Sequence, residues 1–297
     1  MSGALPTPRA EVEITAALVR RLLGEQFPDL VSLELRALAP GWDNAIFRLG
    51  DSLVIRLPRR ALGVPLIHHE RRWLPGLAAT LPLPIPVPVG HGHPSEEYPW
   101  DWNICRWVDG TSALESALDD QGAEAERLGR FLAALHQPAT NDAPANLYRG
   151  VPLADRDDMT RDRIEQMAAT IDVDAVGAAW DAALDAPHWN GPPLWCHGDV
   201  HPGNLVVDNG QLSGVIDFGD LTAGDPATDL SVAWMLFEPA IRSRFRTAAA
   251  TTDNDTWHRA RGWALSIALS LIANSADNER YEQLGRRTLA AVLTDRS

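Results

Sequence analysis

With 297 residues, 45% of them hydrophobic, the chain is long enough for one large domain or for two lobes flanking a cleft, where ligands usually sit. Its formal charge of −14 disfavours nucleic acid and anionic membrane as partners, and because all 26 basic residues are Arg and none is Lys, a GxxxxGK[ST] phosphate loop and a Schiff-base lysine are both excluded. No apolar run reaches the roughly 18 residues of a membrane span, and the start, MSGALPTPRAEVEI, lacks the basic-then-apolar pattern of a secretory signal, so a soluble cytoplasmic protein is expected.

In chain order, residues 11 to 27 carry apolar side chains at helical spacing and Pro28 stops them. Three short runs then read as strands, Leu33 to Leu38, Ala45 to Leu49 and Ser52 to Leu57, with Gly50-Asp51 as a tight turn. They predict an antiparallel meander. The turn Gly41-Trp42-Asp43-Asn44 has a single glycine and reads equally as a hairpin loop or as a loop covering phosphates. Arg56 alternates with Ile55 and Leu57, so it points to the other face of its strand. A lone strand charge usually faces solvent. Here the next helix, HHERRWLPGLA, carries Glu70 14 residues on, and a strand cation paired with a helix carboxylate is how kinase-like folds hold nucleotide phosphates.

Residues 80 to 99 alternate Pro82, Pro84, Pro86 and Pro88 with Leu, Ile and Val; proline lacks a ladder donor, which predicts an extended connector or an edge strand. Trp100 to Val108 reads as a strand ended by Asp109-Gly110. A hinge at 106–110 then separates an N-terminal lobe, residues 1–107, from a C-terminal lobe, residues 108–297.

From about Ser112 helical periodicity takes over. Residues 121 to 136 put Leu128, Phe131, Leu132 and Leu135 on one face before Pro138, with His136 read as a structural histidine. Residues 139 to 151 are loop-like. Residues 152 to 188 are helical and charged, with Asp155, Asp157, Asp158, Arg161, Asp162, Arg163 and Glu165; such a run is a solvated face or, alternatively, an acidic rim beside a site for a cationic substrate. Cys105 and Cys196 sit in apolar contexts without CxxC spacing and read as buried free thiols. Residues 239 to 296 read as helices, with Trp257, Ala260, Trp263, Ala264, Ile267 and Leu271 at core spacing.

The stretch from Trp195 to Trp234 carries the chemistry. His197-Gly198-Asp199-Val200-His201 has the H-x-D-x-H form of a metal-binding loop, but such a site needs further ligands, and the other H-x-H, His91 and His93, lies in the proline-rich connector. Phosphoryl transfer fits the spacing better: Asn204 follows Asp199 by five residues, the interval of the kinase catalytic loop, and Asp217-Phe218-Gly219 follows a β-like run. A hairpin turn at Asn209-Gly210 is expected to bring Asn204 and Asp217 together as an amide and a carboxylate oxygen for Mg²⁺. Asp199 would then orient the acceptor hydroxyl and take its proton. Gly198 stands where protein kinases carry the Arg that reads activation-loop phosphorylation, so that switch is not implied.

HGDVHPGN, VIDFGD and GDPATDL resemble the aminoglycoside phosphotransferase family, a branch of the protein-kinase-like superfamily, and VIRLPRR, the Glu70 helix, WVDG and LAALH fall in the family's order over most of the chain. The resemblance implies an α+β bilobal protein-kinase-like fold, with an antiparallel N-lobe β-sheet plus helix and a mostly helical C-lobe. It implies a small-molecule kinase transferring the γ-phosphoryl group of ATP or GTP to a hydroxyl of an aminoglycoside or other antibiotic; the alternatives are a metabolite kinase of the same fold and a non-catalytic nucleotide-binding module. Asp199 is then the catalytic base, Asn204 and Asp217 hold Mg²⁺, Arg56 paired with Glu70 binds phosphate, and hinge backbone between Arg106 and Val108 holds the nucleotide base. His197, His201, Asp225 and Asp229 support the catalytic loop. Glu238, Asp253 and Asp255 are candidates for contacting a cationic acceptor. One departure stands out: Arg56 occupies the place of the usual Lys, and its longer planar fork is not equivalent there.

Overall fold

The computed structural model describes residues 9–38, 41, 43–250, 253–275 and 278–295; the first eight residues of the start and Trp42 of the Gly41–Asn44 turn lie outside them. The described residues form two compact units, one built on 9–109 together with Gly214–Gly219, the other on Gly110–Ser213 and 220–295.

The first unit opens with α1 (Ala16–Gln26), whose N-terminus is capped by the Thr15 hydroxyl accepting from the Leu18 N–H at 3.2 Å. Then come β1 (Leu35–Ala37), β2 (Asn44–Leu49), β3 (Leu53–Pro58), α2 (Val64–Ala78), β4 (Pro88–Gly92) and β5 (Trp102–Arg106). The strands form one antiparallel sheet in the order β1-β2-β3-β5-β4. The meander expected from sequence is its first half, turned at Gly50 with φ of 55°. Pro88 begins the edge strand β4, where a missing donor costs no ladder bond. Central β3 is covered on both faces. Ile55 and Leu57 enter a core with Leu18, Val19, Leu22, Leu23, Phe47, Leu49, Trp102 and Ile104. Arg56, on the opposite face, is 6% exposed and not solvent-facing.

The second unit starts with β6 (Thr111–Ser112) and α3 (Gln121–Leu135), then α4 (Asp157–Gln166), α5 (Val173–Leu184), β7 (Leu194–Cys196), β8 (Leu205–Asp208), β9 (Gln211–Val215), β10 (Thr222–Gly224), α6 (Ala227–Leu230), α7 (Val232–Leu236), α8 (Pro239–Ala248), α9 (Asn254–Asn274) and α10 (Glu279–Thr294). Asp120, Asp172 and Asp253 cap α3, α5 and α9 through their side chains. Helix α9 is the axis of this unit: Trp257, Ala260, Trp263, Ala264 and Ile267 are all buried, and α4, α5, α6 and α10 pack on it. Two small sheets, β7-β10 and β6-β8-β9, carry the motif stretch. Asn209 and Gly210 between β8 and β9 both have positive φ, 47° and 74°, as a two-residue hairpin turn requires. Cys105 and Cys196 are buried and free. Among the described residues no helix is long and apolar enough to cross a membrane.

Candidate active site

Strand β3 presents Arg56 to helix α2, and its guanidinium meets two carboxylates. Nη1 lies 2.7 Å from Glu70 Oε1 and Nη2 lies 2.9 Å from Asp217 Oδ1. The planar fork thus spans two partners at once, which a single ammonium reaches less well. Burial disfavours the Arg56 charge, but Glu70 and Asp217 outweigh it and hold the group firmly protonated. For Glu70, burial works against ionisation and Arg56 only partly offsets it, so its carboxyl is pushed up to about 7. The Arg56 contact is close but not aligned as a hydrogen bond, and neither Glu70 oxygen receives one. Asp217 is held at φ of 63°, a left-handed conformation that Asp tolerates better than most residues. Its side chain remains 55% exposed, so an oxygen is available for a further ligand.

At the end of β5, the Arg106 N–H donates to the Val87 carbonyl at 2.9 Å and the Trp107 N–H to that of Ser52 at 2.9 Å. Of the expected hinge residues, Val108 is therefore the one whose N–H the sheet does not claim among the described residues.

The residues expected to form a catalytic loop assemble in the second unit. Gly198 has φ of 88°, and a Cβ there would sit 2.3 Å from the Asp220 carbonyl oxygen, so only glycine allows the loop to turn at this point. Asn204 donates from Nδ2 to the Asp199 carbonyl at 2.9 Å and to Asp199 Oδ2 at 3.2 Å. With its nitrogen spent this way, Asn204 has its amide oxygen left to offer, and an amide oxygen is a ligand type that suits Mg²⁺. His201 Nε2 lies 3.3 Å from Asp199 Oδ2, and Arg149 Nη2 donates to Asp199 Oδ1 at 3.1 Å. Burial opposes the Asp199 charge, but His201, Arg149 and His197 outweigh it and hold the carboxyl well below the usual carboxylate range. The pairing stabilises the folded chain fully above the ordinary value of 3.8, and this contribution is lost as the pH falls below it.

Asp229 fastens the loop from behind, accepting from the N–H groups of His197 and Gly198 at 2.8 Å each and from His136 Nε2 at 3.1 Å. The residue given only a structural reading in sequence, His136, thus shares a carboxylate with the loop at His197 and Gly198. His136, Cys196 and Asp229 are close enough to suit a metal, but both Asp229 oxygens are already engaged by the His197 and Gly198 N–H groups, and burial pushes the Cys196 thiol well up. The two histidines of the H-x-D-x-H run are likewise occupied: Nδ1 of His197 accepts from the Asp199 N–H and Nδ1 of His201 from the Gly203 N–H. Asp225 is clamped by Arg259, with Nε to Oδ2 at 2.6 Å and Nη2 to Oδ1 at 3.3 Å. Sequence reasoning missed Arg259, although an arginine between Trp257 and Trp263 in a largely apolar helix is a signal; for Arg149, in an irregular loop, there was none. Asp253 is spent on the α9 cap, Asp255 lies in the first turn of α9 and Glu238 is the residue before α8.

A family model for the phosphotransferase enzyme family matches residues 34–263. An aminoglycoside 3'-phosphotransferase of Streptomyces fradiae is 28% identical over 163 residues, 48% of this chain and 59% of that protein. One from Escherichia coli is 24% identical over 171 residues, 52% and 60% of the two chains. The matches thus span about three-fifths of these curated relatives. Among solved structures, a GDP complex of wild-type aminoglycoside 2'-phosphotransferase-IIIa superposes with a TM-score of 0.70 at 18% identity, covering 94% of this chain and 99% of that one. A macrolide 2'-phosphotransferase from Brachybacterium faecium gives 0.62 at 20% identity, covering 95% and 98%. At such identities the likeness is one of fold, bilobal and kinase-like.

Proposed function

Because the chain belongs to the phosphotransferase enzyme family, we propose that it transfers the γ-phosphoryl group of ATP or GTP to a hydroxyl of a small molecule. The observation that carries this reading is Asp199, an ionised carboxylate held by Arg149 and His201 and bonded to Asn204. The acceptor oxygen forms a bond to Pγ, the bond from Pγ to the bridging oxygen breaks, and its electron pair leaves with the nucleoside diphosphate. The hydroxyl proton passes to Asp199, which also orients the attacking oxygen. Arg56, fixed by Glu70, faces the nucleotide phosphates; the Val108 N–H and neighbouring hinge carbonyls receive the base; His197, His201, Asp225 and Asp229 keep the loop in shape. The amide oxygen of Asn204 and the carboxylate of Asp217 would be the oxygen ligands for Mg²⁺, which would supply neutralisation of phosphate charge.

The names of the relatives put an antibiotic hydroxyl first among acceptors. A second reading, a metabolite kinase, is favoured by Arg149: a fixed cation 3.1 Å from Asp199 repels a polycationic acceptor. Use of nucleoside triphosphates and the −14 charge support a cytoplasmic enzyme without nucleic acid or membrane partners.

The test is Mg²⁺-dependent nucleotide turnover across a panel of hydroxylated compounds, with wild type beside Asp199→Asn. Turnover that drops about 10²- to 10⁴-fold in the variant while nucleotide still binds is the expected result. A variant near the wild-type rate would sink the mechanism, and nucleotide binding without turnover for any acceptor would reduce the protein to a binding module.

A further inference from the structure

The acidic segment before α4 divides by face. Asp155 and Asp158 are exposed, and Asp157 is taken by Arg161 at 2.8 Å and by the Trp180 indole N–H at 2.7 Å. What turns inward is basic. Arg156 precedes α4 and is 6% exposed; Arg163 lies seven residues on, two helical turns along the same face. The Arg156 guanidinium sits 5.7 Å from the Tyr148 ring and 5.9 Å from the Trp263 ring, so it is wedged between α9 and the loop that carries Arg149.

Among the described residues neither Arg156 nor Arg163 forms an ion pair. In each of the three arginines one nitrogen, Nε of Arg149, Nε of Arg156 and Nη1 of Arg163, is buried without a hydrogen-bond partner. Nε of Arg149 forms an ion pair with Asp220 Oδ2 at 3.6 Å, beyond hydrogen-bond distance. Burial first, and then mutual repulsion, pull Arg156 down to about 10 and Arg163 down as well. Arg149 has Asp199 and Asp220 as counter-charges, but Arg156 and Arg163 have no carboxylate partner among the described residues. Holding such charges away from water is costly unless a counter-charge joins them, and this happens in a chain with 40 acidic residues to choose from.

We propose that Arg149, Arg156 and Arg163 recognise an oxyanion group, carboxylate or phosphate, on the phosphoryl acceptor. Arg149 touches Asp199, so the anion and the reacting hydroxyl belong to one small molecule. The acceptor is therefore a hydroxy acid or a phosphorylated alcohol or sugar, not a polycation. This rests on the reading of Asp199 as catalytic base.

The test compares Mg²⁺-ATP and Mg²⁺-GTP turnover with glycerol, glycerate, glycerol 3-phosphate and kanamycin, and measures calorimetric binding of malonate and inorganic phosphate to wild type and Arg163→Gln. The expected results are saturable binding of malonate or phosphate that weakens at least tenfold in Arg163→Gln, and a kcat/KM for an anionic acceptor at least tenfold above that for glycerol. That preference should collapse in the variant. Glycerate against glycerol 3-phosphate, and malonate against phosphate, separate the two anion types. Turnover of kanamycin or glycerol in preference to both anionic acceptors overturns the proposal while leaving the kinase reading intact, as does the absence of anion binding. Loss of nucleotide binding and turnover altogether overturns the kinase reading instead. Arg163→Lys keeps the charge and should retain most of the anion binding; retention by Arg163→Gln as well would overturn the assignment.

Discussion

Arg56 and Arg156 are equally buried, each 6% exposed, yet their surroundings push them in opposite directions. Arg56 has two carboxylates within 3 Å and is held protonated; Arg156 has aromatic rings, a methionine sulfur and two other arginines, and is pulled down to about 10. The first carries its counter-charges with it and is fixed in place before any ligand arrives. The second has no carboxylate partner among the described residues, and the proposed acceptor anion would supply a counter-charge. On the proposed function, that contrast separates two tasks, holding the nucleotide phosphates and choosing the acceptor.

The largest expected effect breaks the paired side. Glu70→Ala leaves the buried Arg56 with Asp217 alone, and removing one member of a buried ion pair costs about 3–5 kcal/mol. The denaturant midpoint should fall accordingly. A loss below about 1 kcal/mol would mean that Arg56 relocates and that its pairing with Glu70 does not hold it.

A smaller effect comes from pH. Glu70 is pushed up to about 7, so the native chain binds more protons here than the unfolded chain between its ordinary value of 4.5 and that point. The stability contribution of Glu70 therefore falls as the pH rises through this window and levels off above it. The pair with Arg56 behaves conversely, complete above about 7 and neutralised on the Glu70 side below it. Affinity for Mg²⁺-nucleotide should show an inflection near pH 7 in wild type and lack it in Glu70→Gln. An inflection that survives the substitution belongs to another group, and Asp199 is not that group, since its carboxyl stays ionised far into acid.

What the sequence made legible follows from interaction range. The turns at Gly50-Asp51 and Asn209-Gly210 are local chemistry, and both appear with the positive φ that their residues permit. Arg56 and Glu70 are 14 residues apart on consecutive elements, within reach of pattern reasoning. The partners that sequence missed are distant: Asp225 to Arg259 is 34 residues, Arg149 to Asp199 is 50 and His136 to Asp229 is 93. No spacing rule spans a bundle whose helices are brought together by tertiary packing. The inward arginines were more accessible than that. Leu153, Arg156, Thr160 and Ile164 recur at steps of three and four and are all buried, so helical phase, applied to a run read only for its charge, would have separated the outward aspartates from the inward arginines.

The smallest effect sharpens the unpaired side. Where Glu70→Ala removes a partner, Arg163→Gln removes a charge that has none, so in the ligand-free protein it should raise stability, not lower it. The gain is no more than about 1 kcal/mol, because Arg163 is partly solvated and water already screens much of the repulsion. Two further signs follow from the same physics. Added salt shrinks the difference between variant and wild type, since screening relieves the repulsion that the substitution abolishes. Saturating phosphate reverses it, because an anion that binds only the folded wild-type site stabilises that form by mass action. Thermal melts of both proteins at low salt, at high salt and with phosphate read all three signs. If the variant is less stable under each condition, Arg163 acts as packing, and the contrast with Arg56 loses its meaning.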